Sequence, residues 1–286
     1  SLAAVRLAAE IGKEFGTRIP VIRIFERPTI EGQASLLRES AEVCASGPLV
    51  KLRADGHQLP LVFLPGVAGM VNYLEPLASE VGRDRPIFSF QSAGAAATAD
   101  RLEAVAEGYV DALLQAQPDG PYLLAGHSFG GVVAFAMAQV LLGRGREVGL
   151  LALVDSPAPG SGGDEPAVDT AGLLARLLPE GVAEAPPELL VACTHNLRLL
   201  QGYAPEFWQP LEIHLIRAQK LLPGLVPLGD LRGDWGWSRF AAHPVEVISV
   251  PGDHDSMLRP PHVSALARTL RALLALVSEQ AEPVTR

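Results

Sequence analysis

Apolar positions along the chain change period twice. Ala4, Leu7, Ala8, Ile11 and Phe15 recur at helical spacing, with Arg6, Glu10, Lys13 and Glu14 on the opposite side, which predicts an amphipathic helix closed by Gly16. Pro20 and Pro28 bracket a short apolar segment, Val21 to Phe25, and Thr29 is placed to cap a second helix toward Leu37. Two short helices cannot bury a core by themselves. Residues 39–48 are small and polar, the character of a linker. From Leu49 onward, β-rich apolar runs alternate with helical patterns, which predicts an α/β fold with a mostly parallel sheet and helices on both faces. The expected strands are 49–53, 60–64, 86–91, 122–125, 149–154, 211–217 and 245–250. Between 156 and about 203 the pattern changes again: Pro and Gly come first, then helical segments at 171–178 and 187–203, as in a helical insertion above a sheet.

Bulk properties narrow the functional classes. The chain has 286 residues, 48% of them hydrophobic and 19% charged, enough for one large α/β unit with an appendage. Its net charge of -9 comes from dispersed carboxylates, and no Lys/Arg run forms a basic stripe, so a nucleic-acid partner is not expected. Cys44 and Cys193 are the only cysteines and lack CxxC spacing, which gives neither a disulfide framework nor a thiolate zinc site. There is no apolar run of about 18 residues and no basic-then-apolar start. A cytoplasmic protein with no metal and no membrane partner is the expectation.

Candidate chemistry sits at Gly126-His127-Ser128-Phe129-Gly130, a G-x-S-x-G pattern directly after the strand 122–125 and before the helical run Val132 to Leu142. A turn this tight strains the serine backbone and needs glycines where neighbouring chain approaches. It also puts Ser128 at a helix N-terminus, where unpaired N–H groups favour negative charge on a reacting carbonyl. The pattern resembles the nucleophile turn of the α/β-hydrolase fold. A serine nucleophile needs a base, and in this fold the histidine follows the last strand. His254 meets that requirement, because Pro251-Gly252 turns the chain after 245–250 and leaves Asp253-His254-Asp255 at the edge where Ser128 emerges. His57, His195, His214, His243 and His262 lack such placement, and His127, adjacent to the nucleophile, reads as a shaping residue. Asp253 and Asp255 read as solvated loop carboxylates.

The acid that orients His254 usually follows the strand one before the histidine's. That strand, 211–217, ends in Ala218-Gln219-Lys220, with no carboxylate until Asp230. Asp155 instead ends the strand after the nucleophile and is taken as the acid; its other reading is a turn aspartate before Pro157. Two backbone N–H groups should form an oxyanion hole: that of Phe129, and one from the loop Pro65-Gly66-Val67-Ala68-Gly69, with Val67 preferred and Ala68 next.

Together these residues resemble the thioesterase domains that end nonribosomal peptide synthetases and related assembly lines, over roughly Leu49 to Val277. The resemblance is carried by Leu61-Val62-Phe63-Leu64-Pro65-Gly66, by Tyr122-Leu-Leu-Ala-Gly-His-Ser-Phe-Gly-Gly131, by Asp155, and by Pro251-Gly252-Asp253-His254 followed by Met257-Leu258. An acid after the earlier strand is a habit of that family. Ser1 to Leu7 and Phe25-Glu26-Arg27-Pro28-Thr29-Ile30 resemble the latter half of a peptidyl carrier domain, whose first helix and Gly-Gly-Asp or Gly-Gly-His lead-in are missing here. The resemblance implies 4′-phosphopantetheine on the serine opening this helix, which is Ser1; Ser1 also reads as a helix N-cap.

The organisation that follows is a carrier remnant at 1–38, a linker at 39–48, a thioesterase domain at 49–280 with a lid at about 156–205, and a tail at 281–286. The implied partners are a carrier domain and upstream assembly-line modules. The implied reaction is transfer of an acyl or peptidyl chain to Ser128 and its release by hydrolysis or macrocyclisation, with Leu173, Leu174, Leu177, Leu190 and Leu197 of the lid screening the acyl group from water. A stand-alone esterase on the same fold and a non-catalytic carrier-docking module remain the alternatives.

Overall fold

The computed structural model describes residues 7, 10, 11, 14, 29–35, 37, 48–82, 84–91, 98–160, 187–205, 211–221 and 233–281. The chain divides into two compact units, Ser1–Pro48 and Leu49–Arg286. In the first, positions 7, 10, 11, 14, 30–35 and 37 are helical. Thr29 caps the second helical segment as its sequence position predicts: its Oγ1 accepts the Gly32 amide at 3.1 Å, and its carbonyl accepts that of Gln33 at 2.9 Å.

The second unit contains seven strands, β1 (Leu49–Arg53), β2 (Leu61–Leu64), β3 (Ile87–Phe90), β4 (Tyr122–His127), β5 (Val148–Val154), β6 (His214–Ala218) and β7 (Glu246–Val250). They form one sheet in the order β1-β3-β2-β4-β5-β6-β7. Only β1 runs antiparallel, against β3; the other pairs are parallel. Five α-helices accompany the sheet: α1 (Glu75–Val81), α2 (Leu102–Ala116), α3 (Phe129–Gly143), α4 (Pro187–Gly202) and α5 (Val263–Ala281).

Both faces of the central strands are buried, so β2 and β4 read as continuous apolar runs rather than alternating ones. Alternate residues of each strand join different cores. Leu61, Phe63, Leu123, Ala125, Leu150 and Ala152 pack with α1 and α5, while Val62, Leu64, Leu124, Leu151 and Leu153 pack with α2, α3 and the inner side of α4. Helix α3 is apolar on nearly every side because it lies in the middle of the second core. Its Phe135 ring is fully buried and meets Trp237 at 5.0 Å and Phe240 at 5.9 Å between centroids.

Strand β6 begins at His214, not at Leu211 as the apolar run suggested. Leu211 and Ile213 are buried in the core, but strand pairing starts where His214 meets Ala152 and Glu246. Apolarity therefore marked burial, while pairing alone set the strand's start. In the expected lid, 161–186 and with it Leu173, Leu174 and Leu177 lie outside the described residues. Helix α4 is formed; Leu197 packs against the core, whereas Leu190 is exposed. Ser1, 38–47 and the tail from 282 also lie outside the described residues.

Removing Phe135 would leave a cavity between α3 and the Trp237–Phe240 corner. Phe135→Ala is expected to lower folding stability by about 3–5 kcal/mol, measured as a shifted urea midpoint at unchanged slope; a loss under about 1 kcal/mol would mean that this corner is not packed as described.

Candidate active site

Ligand sites in open parallel sheets lie beyond the carboxyl ends of the strands. Here the ends of β2, β4, β5 and β7 bring together every site residue of the second unit that the sequence singled out. His127 pairs with Val154, so the next residues, Ser128 and Asp155, leave adjacent strands side by side. The Ser128 amide donates to the Val154 carbonyl at 2.9 Å, and the Asp155 amide to the Ile216 carbonyl at 2.7 Å.

Ser128 has φ 55 and ψ -125 and precedes the first residue of α3. Such a backbone costs a non-glycine residue about 1–3 kcal/mol. Two glycines allow it. A Cβ on Gly126 would lie 2.1 Å from the Gly130 carbonyl oxygen, and one on Gly130 would lie 2.4 Å from those of Leu64 and Pro65. Gly126 thus lets α3 fold back on β4, and Gly130 lets the loop after β2 lie against the start of α3.

His254 follows β7 on a loop organised by Asp253. The Asp253 Oδ1 accepts from the Ser256 amide at 2.9 Å, the Ser256 hydroxyl at 2.8 Å and the Asp255 amide at 3.2 Å. Asp253 is therefore a loop-ordering group, not a solvated carboxylate. Its partial burial opposes ionisation, yet these bonds, with Lys220 nearby, hold its pKa below the ordinary carboxylate value. His254 Nδ1 lies 2.7 Å from Asp155 Oδ2. A carboxylate only accepts, so Nδ1 carries the hydrogen, and in the neutral ring the lone pair is then on Nε2. The other oxygen of Asp155 accepts the Ala218 amide at 2.7 Å, and the side chain is almost completely buried. Strand β6, which supplies no acid, holds the acid supplied by β5.

Among the described residues, Ser128 Oγ makes no hydrogen bond, to His254 or to any other group; catalytic bonds of this kind often close only around substrate. The amides of Val67 and Phe129 likewise have no partner among the described residues. The Val67 carbonyl is held by Asn196 Nδ2 at 2.7 Å, and the turn is closed by the Gly69 amide on Gly66 O at 2.8 Å. Asn196 was missed in the sequence, although it was legible there as an amide on the apolar stripe Leu189, Cys193, Asn196 of α4. Tyr73 was missed as well: its hydroxyl meets Gly66 N and His127 Nδ1.

His127 is buried. Burial first, then repulsion from His254, lowers its pKa well below the ordinary histidine value, against the opposing effect of its bond to the His254 carbonyl. No group of three His, Cys, Asp or Glu among the described residues could hold a metal ion. Nor is any described helix long and apolar enough to cross a membrane.

The thioesterase-domain family profile matches residues 59–274, and that of the phosphopantetheine attachment site matches residues 1–37. The chain belongs to the thioesterase-domain family. The thioesterase is 32% identical to chondramide synthase cmdD of Chondromyces crocatus over 95% of its own length and 8% of the relative's. It is 33% identical to a dimodular nonribosomal peptide synthase of Bacillus subtilis over 54% of its length and 7% of the relative's. The chain thus spans less than a tenth of either relative. Among solved structures, the NocB thioesterase domain in covalent complex with a fluorophosphonate nocardicin G analog is 27% identical, with a TM-score of 0.66 over 79% of this chain and 99% of that one.

Phosphopantetheine attachment takes a serine hydroxyl, and the matched segment holds two, Ser1 and Ser35. Ser35 is half-buried within the helical stretch 30–35. The family resemblance implies attachment on Ser1, which lies outside the described residues.

Because His127 takes up a proton less readily folded than unfolded, the unfolded chain binds more protons as pH falls below about 6.5. The stability tied to neutral His127 is complete above about pH 6.5 and is lost on acidification, by up to about 1.4 kcal/mol per pH unit. Urea unfolding at about pH 7.5 and about pH 5.5 should show a steeper loss in the wild type than in His127→Asn; equal losses would mean that His127 takes up its proton as readily folded as unfolded.

Proposed function

We propose that this chain is the release thioesterase of a peptide assembly line, with Ser128 as the acyl-accepting nucleophile, His254 as its base and Asp155 as the acid that orients the base. The observation that carries the reading is the 2.7 Å bond between His254 Nδ1 and Asp155 Oδ2, which joins residues on different strand ends beside Ser128 and leaves Nε2 free as a base. In this reading the domains are a carrier remnant at 1–38, a linker at 39–48, the thioesterase at 49–280 with its lid at about 156–205, and a tail at 281–286. Ser1 is the attachment point of phosphopantetheine, which supplies the thioester linkage by which the acyl chain is presented. A carrier domain and upstream modules are the partners, and the cytoplasm, where such chains are assembled, is the compartment.

In the first half-reaction His254 Nε2 takes the Ser128 proton as Oγ attacks the thioester carbonyl. The amides of Val67 and Phe129 receive the oxyanion, helped by the N-terminal end of α3. Asp155 stabilises the imidazolium without taking its proton, and its bond to the Ala218 amide keeps its second oxygen satisfied. The tetrahedral adduct collapses with loss of the thiol, which leaves with the proton from His254. In the second half-reaction His254 deprotonates the acceptor that attacks acyl-Ser128, and the adduct collapses as the acyl–Oγ bond breaks and Ser128 Oγ takes that proton back from His254. Water gives a free acid, and an amine or hydroxyl of the same chain gives a ring.

The support for a peptide line is the likeness to a peptide synthase and to NocB, together with the attachment-site segment preceding the thioesterase in one chain. An oxygen-ester specialist would need neither a carrier segment nor a thiol leaving group. The test is kcat/KM on hexanoyl-pantetheine against the matched oxygen ester. The thioester is expected to be the better substrate, and Asp155→Asn to lower kcat by about 10³- to 10⁴-fold at nearly unchanged KM, because the amide favours the wrong imidazole tautomer. A strong preference for the ester would contradict the release reading, and full activity in Asp155→Asn would remove Asp155 from the triad.

A further inference from the structure

Beneath Ser128, His254 and Asp155 runs a line of hydrogen bonds that the mechanism above does not use. The Gly66 amide donates to Tyr73 Oη at 2.7 Å, Tyr73 Oη lies 3.2 Å from His127 Nδ1, and His127 Nε2 lies 3.0 Å from the backbone oxygen of His254. The carbonyl of His254 only accepts, so His127 Nε2 carries the hydrogen and Nδ1 is left as the acceptor. The Tyr73 hydroxyl donates to it while accepting from Gly66. Each group on the line is thereby satisfied in one consistent direction. The rings pack along the same line, with centroids 5.9 Å apart for Tyr73 and His127 and 4.4 Å for His127 and His254.

The two ends of this line are informative. One is the Gly66 amide, one residue before Val67, whose own amide is the proposed oxyanion donor. The other is the backbone of the proposed base. We propose that Tyr73 and His127 are positioning residues that fix the oxyanion loop and the His254 imidazole relative to each other, with His127 held as the neutral Nε2–H tautomer. His254 is then anchored from two sides, through its ring by Asp155 and through its carbonyl by His127. Neutrality of His127 also matters to the chemistry: when His254 becomes an imidazolium, a second charged ring 4.4 Å away would oppose it. Burial of Tyr73 and of His127 disfavours the charged form of each, tyrosinate and imidazolium, so the direction of the line is kept.

The inference rests on the reading of Ser128, His254 and Val67 given above, and the test separates the two. The rate of Ser128 phosphonylation by a fluorophosphonate, and kcat and KM on hexanoyl-pantetheine, would be measured for the full chain as wild type, Tyr73→Phe, His127→Leu and His127→Gln, with thermal unfolding alongside. Tyr73→Phe and His127→Leu are expected to lower phosphonylation and kcat by about tenfold or more, with KM little changed. His127→Gln, whose side-chain N–H stands where the histidine Nε2–H does and can donate to the His254 carbonyl, should regain most of that loss. The proposal is overturned if His127→Leu reacts as fast as wild type, if the loss falls on KM alone, or if His127→Gln is no better than His127→Leu. Should His127→Leu not fold, a wild-type rate in Tyr73→Phe overturns it alone. A wild-type chain that is not labelled at Ser128 would refute the underlying site instead, and the positioning role with it.

Discussion

Gly126 and Gly130 are separated by a serine that must adopt φ 55, and the site depends on how closely the chain approaches itself there. The carbonyl oxygen of Gly130 occupies the space where a side chain on Gly126 would begin, and the carbonyls of Leu64 and Pro65 occupy the corresponding space at Gly130. This contact fixes three things together: the emergence of Ser128 from the strand end, the start of α3 with its free Phe129 amide, and the distance from that amide to the loop that carries Val67. A larger residue at either glycine would move Ser128 away from the Val67 and Phe129 amides. The backbone strain at Ser128 persists because the buried strands on either side and the buried helix α3 leave the turn no other path.

Around this turn, charge and hydrogen bonding are arranged with few loose ends. Asp155 itself has φ 46, a second non-glycine residue in the left-handed region at a strand end, and its two oxygens are held by His254 and by Ala218. An acid placed after β5 lies within reach of a histidine placed after β7 because β6 between them presents backbone groups to it and no acid of its own. The geometry also makes β6 more than a spacer. Its Ala218 amide fixes the carboxylate plane, and its Ile216 carbonyl accepts the Asp155 amide.

Most of this was legible in the sequence, for identifiable reasons. The central parallel strands, buried on both faces, appear as apolar runs, and each of the seven expected strands overlaps one that is formed. Ser128, His254 and Asp155 were legible because the chemistry confines them to strand ends. Two kinds of feature were not. The true start of β6 depends on which neighbours pair with it, and the apolar residues Leu211 and Ile213 are buried without joining the ladder. Tyr73, Asn196 and the loop-ordering role of Asp253 depend on partners far along the chain or on turn geometry. His127 reads in the sequence as a shaping residue beside Ser128, but its bond to the backbone oxygen of His254, far along the chain, does not show there. Asn196 alone among these left a trace, an amide on an otherwise apolar helix stripe.

The central claim is that the acyl chain passes through a covalent ester on Ser128. Rapid quench of the wild-type chain with hexanoyl-pantetheine, followed by intact-mass measurement and peptide mapping, tests it directly. The account predicts a transient gain of one hexanoyl group on the peptide that contains Ser128, with release of pantetheine thiol, and neither in Ser128→Ala. Thiol release that persists in Ser128→Ala, or an acyl group mapped to another residue, would contradict it.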